Sequence, residues 1–341
     1  MSSTLKMTDP VLRVSNFNVG FRNAGRDIHV VRDVSFELRS AETLALVGES
    51  GSGKSVTSLA LMGLTPPAPK TMISGSALLT CKDGRKVDLA NAKPRDMKGI
   101  RANEIAMVFQ EPMTSLNPVL AIGDQISEPI LEHRDVGRKE ARLEALRLLG
   151  LVGIPDPARR LRDYPHQLSG GMRQRVMIAL ALACQPRVLI ADEPTTALDV
   201  TVQAQILDLL RRLQEETQMS MIFVTHNLGV VAEIADRVMV YYAGRIVEQA
   251  TTVELFSRPL MPYTNGLLQS VPRMEWAGRH DITLEPIPGT APDPANLPTG
   301  CSFHPRCKFR EAGRCDMTLP SLDASCPDHL VRCIRWNEIG A

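Results

Sequence analysis

The stretch Gly48-Glu49-Ser50-Gly51-Ser52-Gly53-Lys54-Ser55 limits what this chain can fold into more than any other segment does. The apolar run Thr43-Leu44-Ala45-Leu46-Val47 before it reads as a short buried strand, and Ser55-Val56 onward to Met62 reads as a helix. A glycine-rich turn between strand and helix points several backbone N–H groups into one concavity, where the helix dipole adds about half a positive charge. Phosphate fits such a cradle. Gly48, Gly51 and Gly53 supply unusual backbone angles and close approach, with Glu49, Ser50, Ser52 and Val56 completing the binding set. Lys54 is placed to reach terminal phosphates, and the Ser55 hydroxyl can sit on Mg²⁺.

Val188-Leu189-Ile190-Ala191 is a second apolar strand, and it delivers Asp192 and Glu193 at its carboxyl end. Ligands collect at that edge of a parallel sheet. Two adjacent carboxylates there can divide labour, Asp192 orienting Mg²⁺ through water and Glu193 polarising an attacking water as general base. Ser220-Met221-Ile222-Phe223-Val224-Thr225 reads as a third buried strand and ends at His226, where a γ-phosphate contact would be needed. Alone, such a histidine is more often structural.

Together these residues resemble the ATP-binding subunit of an ABC transporter. Leu168-Ser169-Gly170-Gly171 matches the family's signature, Gln110 its Q-loop, Ala197-Leu198-Asp199 its D-loop and His226 its switch histidine. The resemblance implies an α/β fold, a P-loop NTPase ABC cassette with a RecA-like core, an antiparallel β subdomain and a helical subdomain. It also implies that ATP is sandwiched between paired cassettes, the Ser169-Gly170-Gly171 turn of one closing over the phosphate loop of the other, with Asp199 beside it. Ser169 to Gly171 opens a helix running from Met172 to about Cys184, a second helix N-terminus suited to anionic oxygen. Gln110 is expected to sense both Mg²⁺ and the membrane partner. Phe21 is a candidate for stacking on adenine, or it packs a strand end.

A finer resemblance is to the oligopeptide, dipeptide and nickel branch of importers. It rests on Gln110 to Pro118, on Tyr164-Pro165-His166-Gln167, on Asp199 to Gln205, and on Pro262-Tyr263-Thr264-Asn265-Gly266-Leu267-Leu268-Gln269-Ser270-Val271-Pro272. Ala41 and Met261 depart from that pattern, away from phosphate and metal chemistry. The branch implies a peripheral subunit at the cytoplasmic face of the inner membrane. Its partners would be a second, related ATPase chain, two transmembrane permease subunits and an extracytoplasmic solute-binding protein. Two other classes are weighed beside it. A soluble ABC-type ATPase of repair or translation would commonly carry a long coiled-coil insertion or a second cassette, and neither is visible. A redox-sensing iron–sulfur ATPase would make the cysteine tail primary.

Charge agrees with protein rather than nucleic-acid partners. Lysine plus arginine total 39 against 38 aspartate plus glutamate, so no global basic field draws nucleic acid. No segment approaches the ~20 apolar residues that span a bilayer, and the amino terminus lacks the progression of a secretion signal. The expected division is a nucleotide-binding domain over 1–250, with its helical subdomain at about 111–168, followed by an extension over 251–341. Within the insertion, Arg138 to Gly150 is the clearest amphipathic stretch, with Ala141, Leu143, Ala145, Leu146, Leu148 and Leu149 among charges. Tyr241 to Val247 reads as a hairpin closing the cassette, and Pro286 to Pro298 as an extended connection.

Five of the seven cysteines crowd between Cys301 and Cys333. In a reducing compartment such clustering favours metal over disulfides. The branch's four-cysteine tail implies a [4Fe–4S] cluster on Cys301, Cys307, Cys315 and Cys333, with Cys326 able to replace Cys315 or Cys333. Four thiolates also suit tetrahedral Zn²⁺, and only in that reading is His304 a ligand. Metal would organise a tail poor in apolar residues, and a disordered tail of reduced thiols is the other possibility. Cys81 and Cys184 read as ordinary small side chains.

Overall fold

Short, mostly apolar strands need both faces covered, and five strands buried at every position lie side by side here. The computed structural model describes residues 9–23, 25–196, 198–270 and 286–339. Ala197 and Val271-Pro272, singled out above, lie outside the described residues. In chain order the strands are β1 (Leu12–Asn23), β2 (Arg26–Leu38), β3 (Thr43–Val47), β4 (Thr71–Thr80), β5 (Lys86–Asp88) and β6 (Ile105–Val108). They continue with β7 (Val188–Asp192), β8 (Ser220–Thr225), β9 (Arg237–Tyr242), β10 (Arg245–Thr251), β11 (Asp323–Cys326) and β12 (His329–Val331).

One sheet is antiparallel, in the order β2-β1-β4-β5. The other runs β11-β12-β10-β9-β3-β8-β7-β6. Within it β9, β3, β8, β7 and β6 are parallel neighbours and are buried throughout. Side chains alternate across such strands. Val188 and Ile190 of β7 face the layer made with the antiparallel sheet, whereas Leu189 and Ala191 face the helical layer.

That second layer contains the helices Ile122–His133, Arg138–Leu151 and Gly170–Ala181. Arg138–Leu151 buries Ala141, Ala145, Leu148 and Leu149 as the amphipathic pattern predicts. Leu143 is a correction to that pattern, since it lies on the solvent side and is 58% exposed. Its position along the helix places it off the stripe defined by the other four. β1 and β2 are the longest strands among the described residues, at 12 and 13 residues, and pair antiparallel from Leu12↔Leu38 to Asn23↔Arg26.

The tail is woven into the main sheet. β10 pairs antiparallel with β12 through Glu248↔Val331 and Gln249↔Leu330, and β11 completes the edge. Tyr263, Phe303 and Val331 join Val47, Val240 and Tyr242 in one apolar cluster. Tyr242 and Phe303 meet edge to face at 5.2 Å between ring centres, an arrangement worth about 0.5–1.5 kcal/mol beyond area burial. Residues 286–298 form no helix or strand, as their prolines require. Cys81 and Cys184 are buried.

Candidate nucleotide site

Four strands end together at one edge of the parallel sheet. β3 leads into Gly48, β8 into His226, β7 ends at Asp192 before Glu193, and β6 leads toward Gln110. The order β3-β8-β7-β6 makes these four ends neighbours, and the registers Val47↔Thr225, Asp192↔Val224 and Val108↔Ala191 set them level. Sequence-distant residues are thereby gathered into one crevice.

The loop after β3 closes tightly on the rest of the fold. Gly53 caps the helix Lys54–Leu61 with φ 106°, in the left-handed region, and a Cβ there would lie 2.8 Å from the Val30 carbonyl oxygen. At Gly48 a Cβ would come within 2.3 Å of the Tyr241 carbonyl oxygen. No other residue type fits either place without moving the backbone. Lys54 is curled onto the loop, its Nζ donating to the carbonyls of Gly48 (2.7 Å) and Glu49 (2.9 Å) and to Ser52 Oγ (3.3 Å). Burial pushes the Lys54 pKa down, and Glu193, Asp192 and Glu49 oppose that shift. A buried ammonium surrounded by acceptors is held ready for an anion.

The Ser55 hydroxyl donates to Asp192 Oδ1 at 3.1 Å. Burial raises the Asp192 pKa to about 6, with the Ser55 hydrogen bond and Lys54 pulling it back and Glu193 adding to the rise. A carboxylate raised in the folded state loses folding free energy as pH climbs from its ordinary 3.8 through about 6. Above that range Asp192 is ionised at a cost that a divalent cation would offset.

Glu193 is held from three sides. Gln110 Nε2 donates to Oε2 at 3.0 Å, Thr196 Oγ1 donates to the same oxygen at 2.9 Å, and His226 Nδ1 lies 3.2 Å from Oε1. Its backbone adopts φ 46°, and its N–H donates to the Val224 carbonyl at 2.9 Å. A non-glycine residue in that region is strained, and the bond to the neighbouring strand end holds it there. His226 is 60% exposed, so the imidazole stands at the mouth of the crevice.

The structure does not gather every residue singled out. Ser169 accepts the Met172 N–H at 3.3 Å and starts Gly170–Ala181, and Asp199 accepts the Val202 N–H at 2.9 Å and starts Val200–Thr217. Both are helix caps. Among the described residues no hydrogen bond joins Ser169, Gly170, Gly171 or Asp199 to the loop or to the Asp192-Glu193 pair. At Gly171 a Cβ would meet Val202 Cγ1 at 2.8 Å, so this glycine also sets how closely the two capped helices pack. Phe21 sits on β1 opposite Ile28 and Thr71, partly buried against the core.

Sequence reasoning missed the brace beneath the loop. Arg306 grips the Glu49 carboxylate with two nitrogens, Nη1–Oε2 at 2.9 Å and Nη2–Oε1 at 3.0 Å. Nη1 also donates to the Tyr242 hydroxyl at 3.3 Å, and Nε to the Pro288 carbonyl at 2.8 Å. Burial works against the Arg306 charge, yet the bonds to Glu49 and Tyr242 prevail and raise its pKa. From above, the Tyr263 hydroxyl accepts the Glu49 N–H at 2.9 Å. Arg306 lies between Cys301 and Cys307, a stretch read only for its cysteines, and 257 residues separate it from Glu49.

Cys301, Cys307, Cys315 and Cys333 line one pocket with Phe303 and Phe309. Burial pushes the Cys301 and Cys307 thiols up and takes Cys333 to about 11. Cys326 does not line that pocket and stands instead beside Glu254 and His329.

Residues 31–196 match the ABC transporter family model, and 247–315 match the model for the oligopeptide/dipeptide transporter C-terminal region. A putative peptide import ATP-binding protein of Brucella melitensis biotype 1 is 55% identical over 335 residues, covering 97% of this chain and 99% of that protein. The dipeptide transport ATP-binding protein DppD of Bacillus subtilis is 50% identical over 325 residues, 95% of this chain and 94% of its own length. Among solved structures, the dimeric post-hydrolysis state of the ATP-binding cassette MJ0796 bound to ADP and Pi superposes with a TM-score of 0.62 at 28% identity. It covers 71% of this chain and 98% of that one.

The brace under Glu49 predicts a measurable coupling. In a double-mutant cycle on Arg306→Ala and Glu49→Ala, read by thermal unfolding and by nucleotide affinity, the two changes should be non-additive by about 1–3 kcal/mol. Strict additivity would show that the fork contributes no pairwise energy.

Proposed function

Because the chain belongs to the ATP-binding subunits of ABC transporters, in the branch carrying the oligopeptide/dipeptide C-terminal region, we propose that it powers a peptide importer. It is an ATPase of that family. Its expected station is peripheral, at the cytoplasmic face of the inner membrane, beneath two permease subunits that an extracytoplasmic binding protein supplies with solute. Among the described residues no helix is long and apolar enough to cross a membrane. A groove of about 540 Å³ lined by Phe109, the residue before Gln110, with Ser115, Leu120, Glu128 and His133 supports docking of a permease helix there. Relatives that align over nearly the full chain give no support to a repair, translation or redox-sensing ATPase.

The observation that carries the catalytic reading is the Glu193 carboxylate, held by Gln110, Thr196 and His226 next to Lys54 and Ser55. In this reading residues 48–56 cradle the phosphates, with Lys54 turning from the loop carbonyls to the terminal phosphates, and Phe21 stacks on adenine. Ser55, Asp192 and Gln110 would hold Mg²⁺, which neutralises developing phosphate charge. Glu193 accepts a proton from the attacking water while His226 steadies the γ-phosphate. Ser169, Gly170, Gly171 and Asp199, which stand apart from the loop within one chain, act on nucleotide held by the partner cassette. The division near residue 250 then separates the nucleotide-binding part from an extension that braces it.

The four-thiol pocket fits a metal group. Among the described residues the only three metal-ligating atoms within 4.8 Å of one another belong to Glu254, Cys326 and His329. The four pocket sulfurs therefore stand wider than a single zinc with Zn–S of ~2.3 Å would draw them. Following the branch's four-cysteine tail, we read the occupant as a [4Fe–4S] cluster on Cys301, Cys307, Cys315 and Cys333, the four that share the pocket, without Cys326. Its role would be structural, fixing the segment that carries Arg306.

Two outcomes check these readings. Glu193→Gln should bind ATP normally, trap the paired cassettes closed and lower turnover by at least about 100-fold, while Lys54→Ala should weaken nucleotide binding itself. Undiminished turnover in Glu193→Gln would remove the general-base assignment. Anaerobic purification should yield about four irons and four acid-labile sulfides per chain, lost on Cys307→Ser. A folded tail free of iron would end the cluster reading.

A further inference from the structure

Cys326 is the tail cysteine that the four-thiol pocket leaves over. It lies on β11 directly opposite His329 of β12. Glu254 approaches from the helix Thr252–Ser257, which follows β10. The ligand atoms of the three residues lie within 4.8 Å of one another.

The state of the His329 ring follows from its neighbours. The side chain is 1% exposed, and its Nε2 lies 2.8 Å from Glu248 Oε1. Glu248 is fully buried and already accepts the backbone N–H groups of Leu260 (2.6 Å) and Met261 (3.2 Å). Both Glu248 oxygens already act as acceptors, so the geometry places the His329 proton on Nε2, which donates to Oε1. In the neutral ring Nδ1 is then a bare acceptor. It has no hydrogen-bond partner among the described residues, and the nearest carboxylate oxygen across from it, Glu254 Oε1, is another acceptor at 3.6 Å. Two lone pairs and a thiol sulfur facing one another in a half-buried corner, with the histidine itself buried, are reconciled by a cation between them.

We propose that Glu254, Cys326 and His329 form a site for one divalent cation of the zinc type, separate from the four-cysteine pocket. One nitrogen, one sulfur and one carboxylate oxygen are the ligands zinc takes, and three protein ligands leave its fourth position to water. Two ligands each about 2.0–2.1 Å from a tetrahedral ion are roughly 3.3 Å apart, close to the 3.6 Å between Nδ1 and Oε1. Glu248 plays the outer-carboxylate part that fixes the tautomer of a metal-bound histidine. The ligands come from β11, β12 and the helix after β10, so the ion ties the terminal hairpin to the cassette sheet and adds folding free energy there. A second proton on His329 would also relieve the conflict at Nδ1, but it would need nothing from Cys326. That difference separates the two cases.

The full-length protein, Cys326→Ser and Glu254→Gln are each dialysed against micromolar Zn²⁺ and assayed for zinc, iron and sulfide. The Glu254 side chain is 37% exposed, so its variant should fold even if the cysteine variant does not. The unsubstituted protein should retain one more zinc per chain than either variant, with affinity falling about tenfold or more in both and iron and sulfide unchanged. Co²⁺ in place of Zn²⁺ should give a thiolate-to-cobalt charge-transfer band that Cys326→Ser abolishes. Equal zinc in all three folded proteins would overturn the site. Loss of iron together with zinc in Cys326→Ser would overturn it too, by returning Cys326 to the four-thiol pocket.

Discussion

Backbone amides buried on both sides must be paired, and here β9, β3, β8, β7 and β6 meet that demand as one parallel sheet. Parallel pairing points every strand the same way, so the segments after β3, β8, β7 and β6 emerge together. The phosphate loop, His226, Asp192-Glu193 and Gln110 are neighbours for that reason, although up to 178 residues separate Gly48 from His226 in the chain. The crevice they share contains one buried ammonium and two carboxylates, and each makes sense only beside an anion and a cation. Lys54 bonds the loop's own carbonyls, and burial raises the Asp192 pKa to about 6.

The tail belongs to the same argument. It extends the sheet through β12 and β11, fills the apolar cluster with Tyr263, Phe303 and Val331, and sets Arg306 under Glu49. A bidentate guanidinium–carboxylate pair fixes direction as well as distance. The second residue of the phosphate loop is thereby tied through Arg306 to the segment between Cys301 and Cys307.

What the sequence made legible was whatever physics writes locally. A glycine spacing that suits a phosphate cradle, short and mostly apolar strands such as Ser220–Thr225, and the helix start at Ser169 can all be read within a few residues of themselves. The tail's pairing could not be read so, because Glu248↔Val331 joins strands far apart in the chain and β12 spans only His329–Val331. The Arg306–Glu49 fork is hidden for the same reason. β2 extends well beyond its alternating Val34–Leu38 end through a half that is mostly exposed or half-buried, where no apolar pattern marks a strand. Leu143 misled because helix face is decided by angle, and composition alone counts it with its neighbours.

Ser169 caps its own helix, and among the described residues no hydrogen bond joins it to the glycine-rich loop after β3; in the proposed reading it serves nucleotide held by a partner cassette. The central claim is that a partner completes the nucleotide site. The direct measurement is steady-state ATP hydrolysis by the assembled transporter and by the isolated chain, each with and without Ser169→Arg. Turnover should depend on assembly, and Ser169→Arg should suppress cleavage of nucleotide held by the partner while leaving this chain's own nucleotide binding intact. Full-rate cleavage by an isolated monomer carrying Ser169→Arg would contradict the account.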